Sequence, residues 1–201
     1  MSDDRDLISP ERWDARYAAS NTPWDLGGPP PILTDLIPTL PGRHRVLVPG
    51  AGRGHDAFAW ARAGHEVVAV DFAPLAIDAM RRLAAERSVA VEALQADVLA
   101  LPDALAGAFD LVWEHTCFCA LPRRRRADYL AAMARALRPD GALIALLWNH
   151  GMPDEQAPPY DVTREDVDVF FAARFEVESV EPVAVSAPGR SRELLALMRR
   201  R

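Results

Sequence analysis

The segment Val46-Leu47-Val48-Pro49-Gly50-Ala51-Gly52-Arg53-Gly54, followed by an apolar run that closes on Asp71, constrains this chain more than any other stretch. It reads as a buried strand, a glycine turn, a helix and a second strand ending in an acid. That is the layout of a nucleoside-binding α/β sheet, in which the acid accepts both ribose hydroxyls. A dinucleotide fingerprint beginning at Gly50 requires a third glycine at position 55, where His55 stands. The spacing present, G-x-G-x-G, leaves no helix N-terminus free for a pyrophosphate and argues against a nicotinamide oxidoreductase. It suits S-adenosylmethionine, which carries no phosphate and whose methionine end lies over bare backbone.

The rest of the chain alternates accordingly. Strands are expected over 44–48, 66–70, 89–94, 109–113 and 142–148, with helices over 54–63, 74–87 and 122–137 between them. The third helix is stopped by Arg138-Pro139-Asp140-Gly141. Ahead of this core, a helix over 10–20 puts Trp13 and Tyr17 on one face. The prolines and glycines of 21–31 then allow only an irregular loop carrying Trp24, before a short helix over 32–40. After a proline-rich loop at 152–160 and a helix over 163–173 capped by Thr163, two apolar runs follow at 175–182 and 193–198. They are separated by Ser186-Ala187-Pro188-Gly189 and by no helix, so they form a hairpin. The expected fold is α/β and Rossmann-like: a seven-stranded, mostly parallel sheet with a C-terminal antiparallel hairpin and helices on both faces. It forms one domain over 1–201, made of an N-terminal segment (1–41), a nucleoside-binding core (42–150) and a substrate-side loop, helix and hairpin (151–201).

Composition bounds the partners. A net charge of −6 argues against a general nucleic-acid binder, which needs clustered cations. The chain has no lysine, which excludes Schiff-base and P-loop chemistry, and its arginine, alanine and proline richness points to a high-GC bacterial coding bias. Cys117 and Cys119 have no zinc-site spacing around them and read as unpaired small apolar side chains in a reducing cytoplasm, so no metal is expected. The start, Met1 to Asp6, lacks the apolar core of a signal peptide, and no run approaches the ~20 residues of a membrane span. A cytoplasmic protein, monomeric and without membrane partners, is expected.

In an open α/β sheet, ligands bind beyond the carboxyl ends of the strands. Gly50 and Gly52 follow strand one, where a bare strand–helix turn is the alternative reading. Asp71 ends strand two and has the alternative of capping the helix at Pro74. Asp97-Val98 follows strand three, placed to meet an adenine amine and ring nitrogen, or else is a simple turn. Glu114-His115 leaves strand four, where it can contact the methionine end of the cofactor, the incoming nucleophile, or only its own fold. The run Arg123 to Arg126 opposes a helix dipole and reads as solvated surface.

The chain resembles the thiopurine S-methyltransferase family, which includes thiol and halide methyltransferases, among class I S-adenosylmethionine-dependent methyltransferases. The likeness runs from Trp13 to Arg199. It rests on W-x-x-x-Y with Thr22-Pro23-Trp24-Asp25, on Val48-Pro49-Gly50-Ala51-Gly52-Arg53-Gly54-His55-Asp56 and on Val70-Asp71. Phe118-Cys119-Ala120-Leu121-Pro122 with Arg125, and Pro158-Pro159-Tyr160, complete it. The resemblance implies that the N-terminal segment folds over the cofactor, so that Trp13, Tyr17 and Trp24 line its pocket, with aromatic faces toward a sulfonium. It also implies cofactor contacts from the Gly50 loop, Asp71, Asp97, Val98 and His115. The chain departs from the family pattern at Ala51 and Cys117, where members often carry Cys and Phe, and varies with it at Tyr17 and His115.

The function expected is methyl transfer from S-adenosylmethionine to a small soft nucleophile, a thiol first. Halide or thiocyanate transfer and a non-catalytic binding relative are the alternatives. A thiol with an ordinary pKa of ~8.5 needs only modest help from a base, and halide or thiocyanate needs none. Glu114, His115, Asp25 and His150 are the candidate bases, and the sequence does not choose among them.

Overall fold

Val46, Leu47 and Val48 divide the core between two faces. Val46 and Val48 pack with Phe58, Trp60, Met80 and Trp113 on one side of the sheet, while Leu47 joins Val112, Phe118, Tyr129 and Phe171 on the other. Such two-sided burial is what period-2 alternation produces in a strand covered by helices on both faces. The structure is a computed structural model that describes residues 9–153, 157–184, 187, 189–190 and 192–201. The Met1 to Asp6 segment, and Ser186 and Pro188 of the expected hairpin turn, lie outside the described residues.

In chain order the elements are α1 (Pro10–Ala18), α2 (Pro31–Leu36), β1 (Arg45–Pro49), α3 (His55–Arg62), β2 (Glu66–Asp71) and α4 (Pro74–Glu86). They continue with β3 (Glu92–Gln95), β4 (Phe109–His115), α5 (Arg123–Ala136), β5 (Leu137–Trp148), α6 (Arg164–Asp166), β6 (Phe175–Pro182) and β7 (Glu193–Arg200). The seven strands form one sheet in the order β3-β2-β1-β4-β5-β7-β6. Strands β1 to β5 pair in parallel, and β7 is antiparallel to both β5 and β6, so it alone runs against the rest. The strand order reverses direction between β1 and β4, and the crevice beyond their carboxyl ends is where such sheets take ligands.

Three expectations need correction. The turn expected at Arg138-Pro139-Asp140-Gly141 is a bulge inside β5: the rungs pass from Phe109↔Leu137 to Leu111↔Ala142, with Asp140 at φ 60. The last helix is one α-turn, closed by a capping box between Thr163 and Asp166, that widens into a π-helix over Val167–Phe171. The arginine run is only partly solvated. Arg126 is fully buried, donates to the Asp161 carbonyl at 3.1 Å and lies over the Phe118 ring, while Arg123 and Arg126 both reach the Asp166 carboxylate. Arginine's weakly hydrated, planar head suits that buried position beside an aromatic face.

Candidate functional site

The turn after β1 brings the backbone against two side chains. A Cβ on Gly50 (φ 59) would lie 2.7 Å from Cys117 Sγ, and one on Gly52 (φ 55) would lie 2.9 Å from the Tyr17 hydroxyl. Both positions therefore exclude a side chain twice over, by the left-handed backbone and by contact. Asp71, at the end of β2, braces this turn: its carboxylate accepts N–H bonds from Gly52 at 2.9 Å and Ala73 at 3.0 Å. Burial pushes its pKa up, and those backbone donors hold it back. Asp71 does not cap α4, whose cap residue is Ala73. The orphan N–H of Leu75 is taken instead by Asp14, 2.7 Å away on α1.

That bond docks α1 against α4 and carries the aromatic residues of the N-terminal segment over the crevice. Trp24 meets Trp13 and Tyr17 edge-on, with ring centroids 5.0 and 5.7 Å apart, and donates its indole N–H to the Tyr17 hydroxyl at 3.4 Å. Beneath them lies a cavity of about 210 Å³ bordered by Trp13, Tyr17, Trp24, Gly50, Asp71, Asp97 and Val98. Asp97 also accepts the Leu99 N–H at 2.8 Å, so it is at once a turn residue and a cavity wall. The cavity is also walled by Cys119, Leu121, Trp148, Met152, Pro158 and Arg190.

The candidate bases sit differently. Glu114 is buried and spent on internal bonds, accepting from the Cys117 and Phe118 N–H groups at 3.0 and 2.7 Å and from the Tyr129 hydroxyl. Burial raises its pKa. Asp25 pairs with His55 at 3.1 Å and with Arg53, and accepts the Gly27 N–H. The His55 bond, with the Gly27 and Arg53 donors behind it, holds its carboxyl far below the usual carboxylate range, which leaves a weak base. His150 accepts the Met152 N–H at 2.9 Å. His115 has both ring nitrogens engaged, Nδ1 with Asp56 at 2.7 Å and Nε2 with Arg190 at 2.9 Å. Asp25, Asp56 and His115 line a second, smaller cavity of about 50 Å³ that continues from Gly50 under the 24–28 loop.

Sequence reasoning passed over Asp14, Asp56 and Arg190. Each acts through a partner 59 or more residues away, and no local pattern marks such a pair.

Residues 8–199 match the profile of the family described as Thiopurine S-methyltransferase. The chain belongs to the thiopurine S-methyltransferase family. It is accordingly an S-adenosylmethionine-dependent methyltransferase. Among relatives, it is 33% identical to the probable thiol methyltransferase 2 of Arabidopsis thaliana, over 84% of this chain and 75% of that one. It is 30% identical to thiocyanate methyltransferase 1 of Brassica oleracea over the same shares. In fold it is similar to the 1,6-didemethyltoxoflavin-N1-methyltransferase of Burkholderia thailandensis, solved with S-adenosylhomocysteine. The TM-score is 0.74 at 22% identity, covering 95% of this chain and 86% of that one. The seven-stranded sheet with its C-terminal antiparallel pair is thus the Rossmann-like architecture of class I methyltransferases.

This family member has a cavity whose residues fit its cofactor. Bare backbone at Gly50 and Gly52 lets the turn close against Cys117 and Tyr17, where a Cβ would intrude, and Gly50 borders the cavity. Asp71 meets two backbone donors and keeps lone pairs for two more.

Proposed function

We propose that this methyltransferase binds S-adenosylmethionine in the large cavity and delivers the methyl group to a small, soft, polarisable nucleophile, a thiol or thiolate first. In this reading Asp71 accepts the ribose hydroxyls, and Asp97 and Val98 meet the adenine. Gly50 and Gly52 give backbone room to the methionine end, and Trp13, Tyr17 and Trp24 cover the sulfonium side. His115 lies beside the methionine end in the smaller cavity. The observation that carries the reading is the pairing of one acid-braced glycine turn with an aromatic lid across a cavity of about 210 Å³. Bound S-adenosylmethionine supplies a methyl group already activated on a sulfonium, so the chain's residues have to align the acceptor and exclude water.

Chemistry at the acceptor end supports a soft acceptor. Its walls include a thiol, a thioether, an indole and prolines, which desolvate an anion, and the Arg190 guanidinium, which attracts one. Glu114, Asp25 and His115 have their basic atoms engaged, and His150 spends its Nδ1 on the Met152 N–H, so an acceptor that arrives already ionised is served best. The name of the Brassica relative supports thiocyanate as the second reading, since it needs no base. We further infer that the protein works as a monomer in the cytoplasm of a bacterium and acts on neither nucleic acid nor membrane. The net charge of −6 supports the absence of a nucleic-acid partner, and no helix among the described residues is long and apolar enough to cross a bilayer. We also propose residues 1–41 as the cap, 42–150 as the nucleoside-binding core and 151–201 as the substrate side of a single domain.

The test is methyl transfer from isotopically labelled S-adenosylmethionine to a panel of aromatic thiols, alkyl thiols, thiocyanate, halides and chalcogen oxyanions. Turnover of aromatic thiols or thiocyanate at neutral pH, ahead of less acidic alkyl thiols, is the expected result. Turnover confined to oxygen or nitrogen acceptors would refute the soft-nucleophile reading.

A further inference from the structure

Trp24, Gly50 and Thr116 border both the large cavity and the small one, so the two cavities meet between them. Trp24 comes from the cap and Gly50 from the turn after β1. Thr116 is the first residue beyond β4, beside the point where the strand order reverses. Its backbone is out of the ordinary. Among the described non-glycine residues with positive φ, Thr116 alone is β-branched, at φ 66. The left-handed conformation crowds Cβ against the backbone, and a branched, bulky side chain makes the position costlier still.

The chain on either side holds it there. Glu114, two residues earlier, accepts the Cys117 and Phe118 N–H groups at 3.0 and 2.7 Å. Cys119 Sγ donates to the Thr116 carbonyl at 3.4 Å. Cys117 packs in turn on Gly50, where an added Cβ would lie 2.7 Å from its Sγ. The turns after β1 and β4 are thus built against each other, and their contacts fix the strained residue between them. None of these contacts uses the threonine hydroxyl, which makes no hydrogen bond among the described residues. Glycine would meet the same backbone requirement without strain, so the fold alone gives no reason for a threonine.

We propose that Thr116 is a specificity-determining residue: its hydroxyl oxygen meets the sulfonium and lets the site tell S-adenosylmethionine from the spent product, S-adenosylhomocysteine. The inference rests on the reading above, with the adenosine in the large cavity and the methionine end in the small one. The sulfur joins those two parts of the ligand, so it lies where the cavities meet. A sulfonium is cationic and polarises the C–H bonds of its methyl, and a freely rotating hydroxyl offers a lone pair to them. The Trp24 ring supplies an aromatic face from the cap side. When the methyl passes to the acceptor, the sulfur keeps the bonding electron pair and becomes a neutral thioether. The product therefore has neither the charge nor the methyl that the hydroxyl meets, which favours its exchange for a fresh donor.

The test is isothermal titration of wild type and variants with S-adenosylmethionine and, separately, with S-adenosylhomocysteine. Thr116→Val keeps the branched shape and removes the oxygen. Its affinity for S-adenosylmethionine should fall about fivefold, the size of one weak hydrogen bond, while that for S-adenosylhomocysteine stays within about twofold. The retained product affinity also shows that the site is intact. Thr116→Ser, which keeps the oxygen, should keep the wild-type preference, and Thr116→Ala should lose it. That second pair repeats the comparison without the branched carbon and judges the proposal even where valine disturbs the turn. An unchanged affinity ratio in both Thr116→Val and Thr116→Ala, or an equal loss of both ligands in the two variants, overturns the proposal while leaving the cofactor reading in place. A folded wild-type protein that binds neither ligand would refute the cofactor reading, and this proposal with it.

Discussion

Asp71 holds two jobs in one carboxylate, bracing the glycine turn through Gly52 and facing the cavity. Asp71→Ala should lower S-adenosylmethionine affinity by about 100-fold, as expected for losing a pair of hydrogen bonds to a charged group. Circular dichroism should report an intact fold, and titration calorimetry the affinity. Gly50→Ala asks an L-residue to hold φ 59 and puts its Cβ 2.7 Å from Cys117 Sγ. The backbone conformation alone should cost about 1–2 kcal/mol, read by urea denaturation. Burial, with the Glu114 carboxylate nearby, raises Cys119 from 9.0 to about 12, and Cys117 is raised well above 9.0 by the same causes. Both should resist iodoacetamide at neutral pH until the protein unfolds. Because the folded-state values are raised, their contribution to stability is complete below about pH 8.5 and is lost as pH climbs toward 12. Glycines and the strand-ending acid were legible because their requirements are local. Arg190 was not, being one arginine among many whose meaning comes from His115, 75 residues earlier.

The cap helix α1 buries no residue of its own, so its position depends on specific ties. One is the Asp14 carboxylate on the Leu75 N–H, an N-terminal capping bond supplied from 61 residues away. Asp14→Ala should cost α4 and the cap together about 1 kcal/mol, the usual value of such a bond. Faster dissociation of S-adenosylmethionine in stopped-flow tryptophan fluorescence should follow, with an unchanged association rate. At this scale the alternation of strands and helices could be read from periodicity, and all seven strands overlap the segments it gives them, although β3 begins later, at Glu92, and β5 earlier, at Leu137. The errors lie where one physical requirement masks another. Arg138-Pro139-Asp140-Gly141 has turn chemistry, yet the chain uses it to bulge out of β5 and resume the ladder. The 163–173 segment has helical periodicity, but packing Phe171 and Val167 into the core is accompanied by a widened turn over Val167–Phe171.

Across the whole molecule, burial explains why an acidic protein carries a run of four arginines. Arg126 and Arg123 converge on Asp166, which closes the capping box of the last helix, so that run fastens α5 to the substrate side of the fold. Arg126→Met fills the space but strands part of a buried carboxylate's pairing. A loss of about 3–5 kcal/mol in urea denaturation is the expected outcome, whereas Arg125→Met on the surface should cost under about 1 kcal/mol. The sheet, the aromatic cap and the glycine turn meet in one cavity, and the proposed function places the methyl donor there. Isothermal titration of the purified protein with S-adenosylmethionine, and separately with S-adenosylhomocysteine, tests this most directly. One-site binding in the micromolar range for both, abolished or strongly weakened in Asp71→Ala, is the predicted result. A folded wild-type protein that binds neither ligand, or an Asp71→Ala variant that binds both as tightly as the wild type, would contradict it.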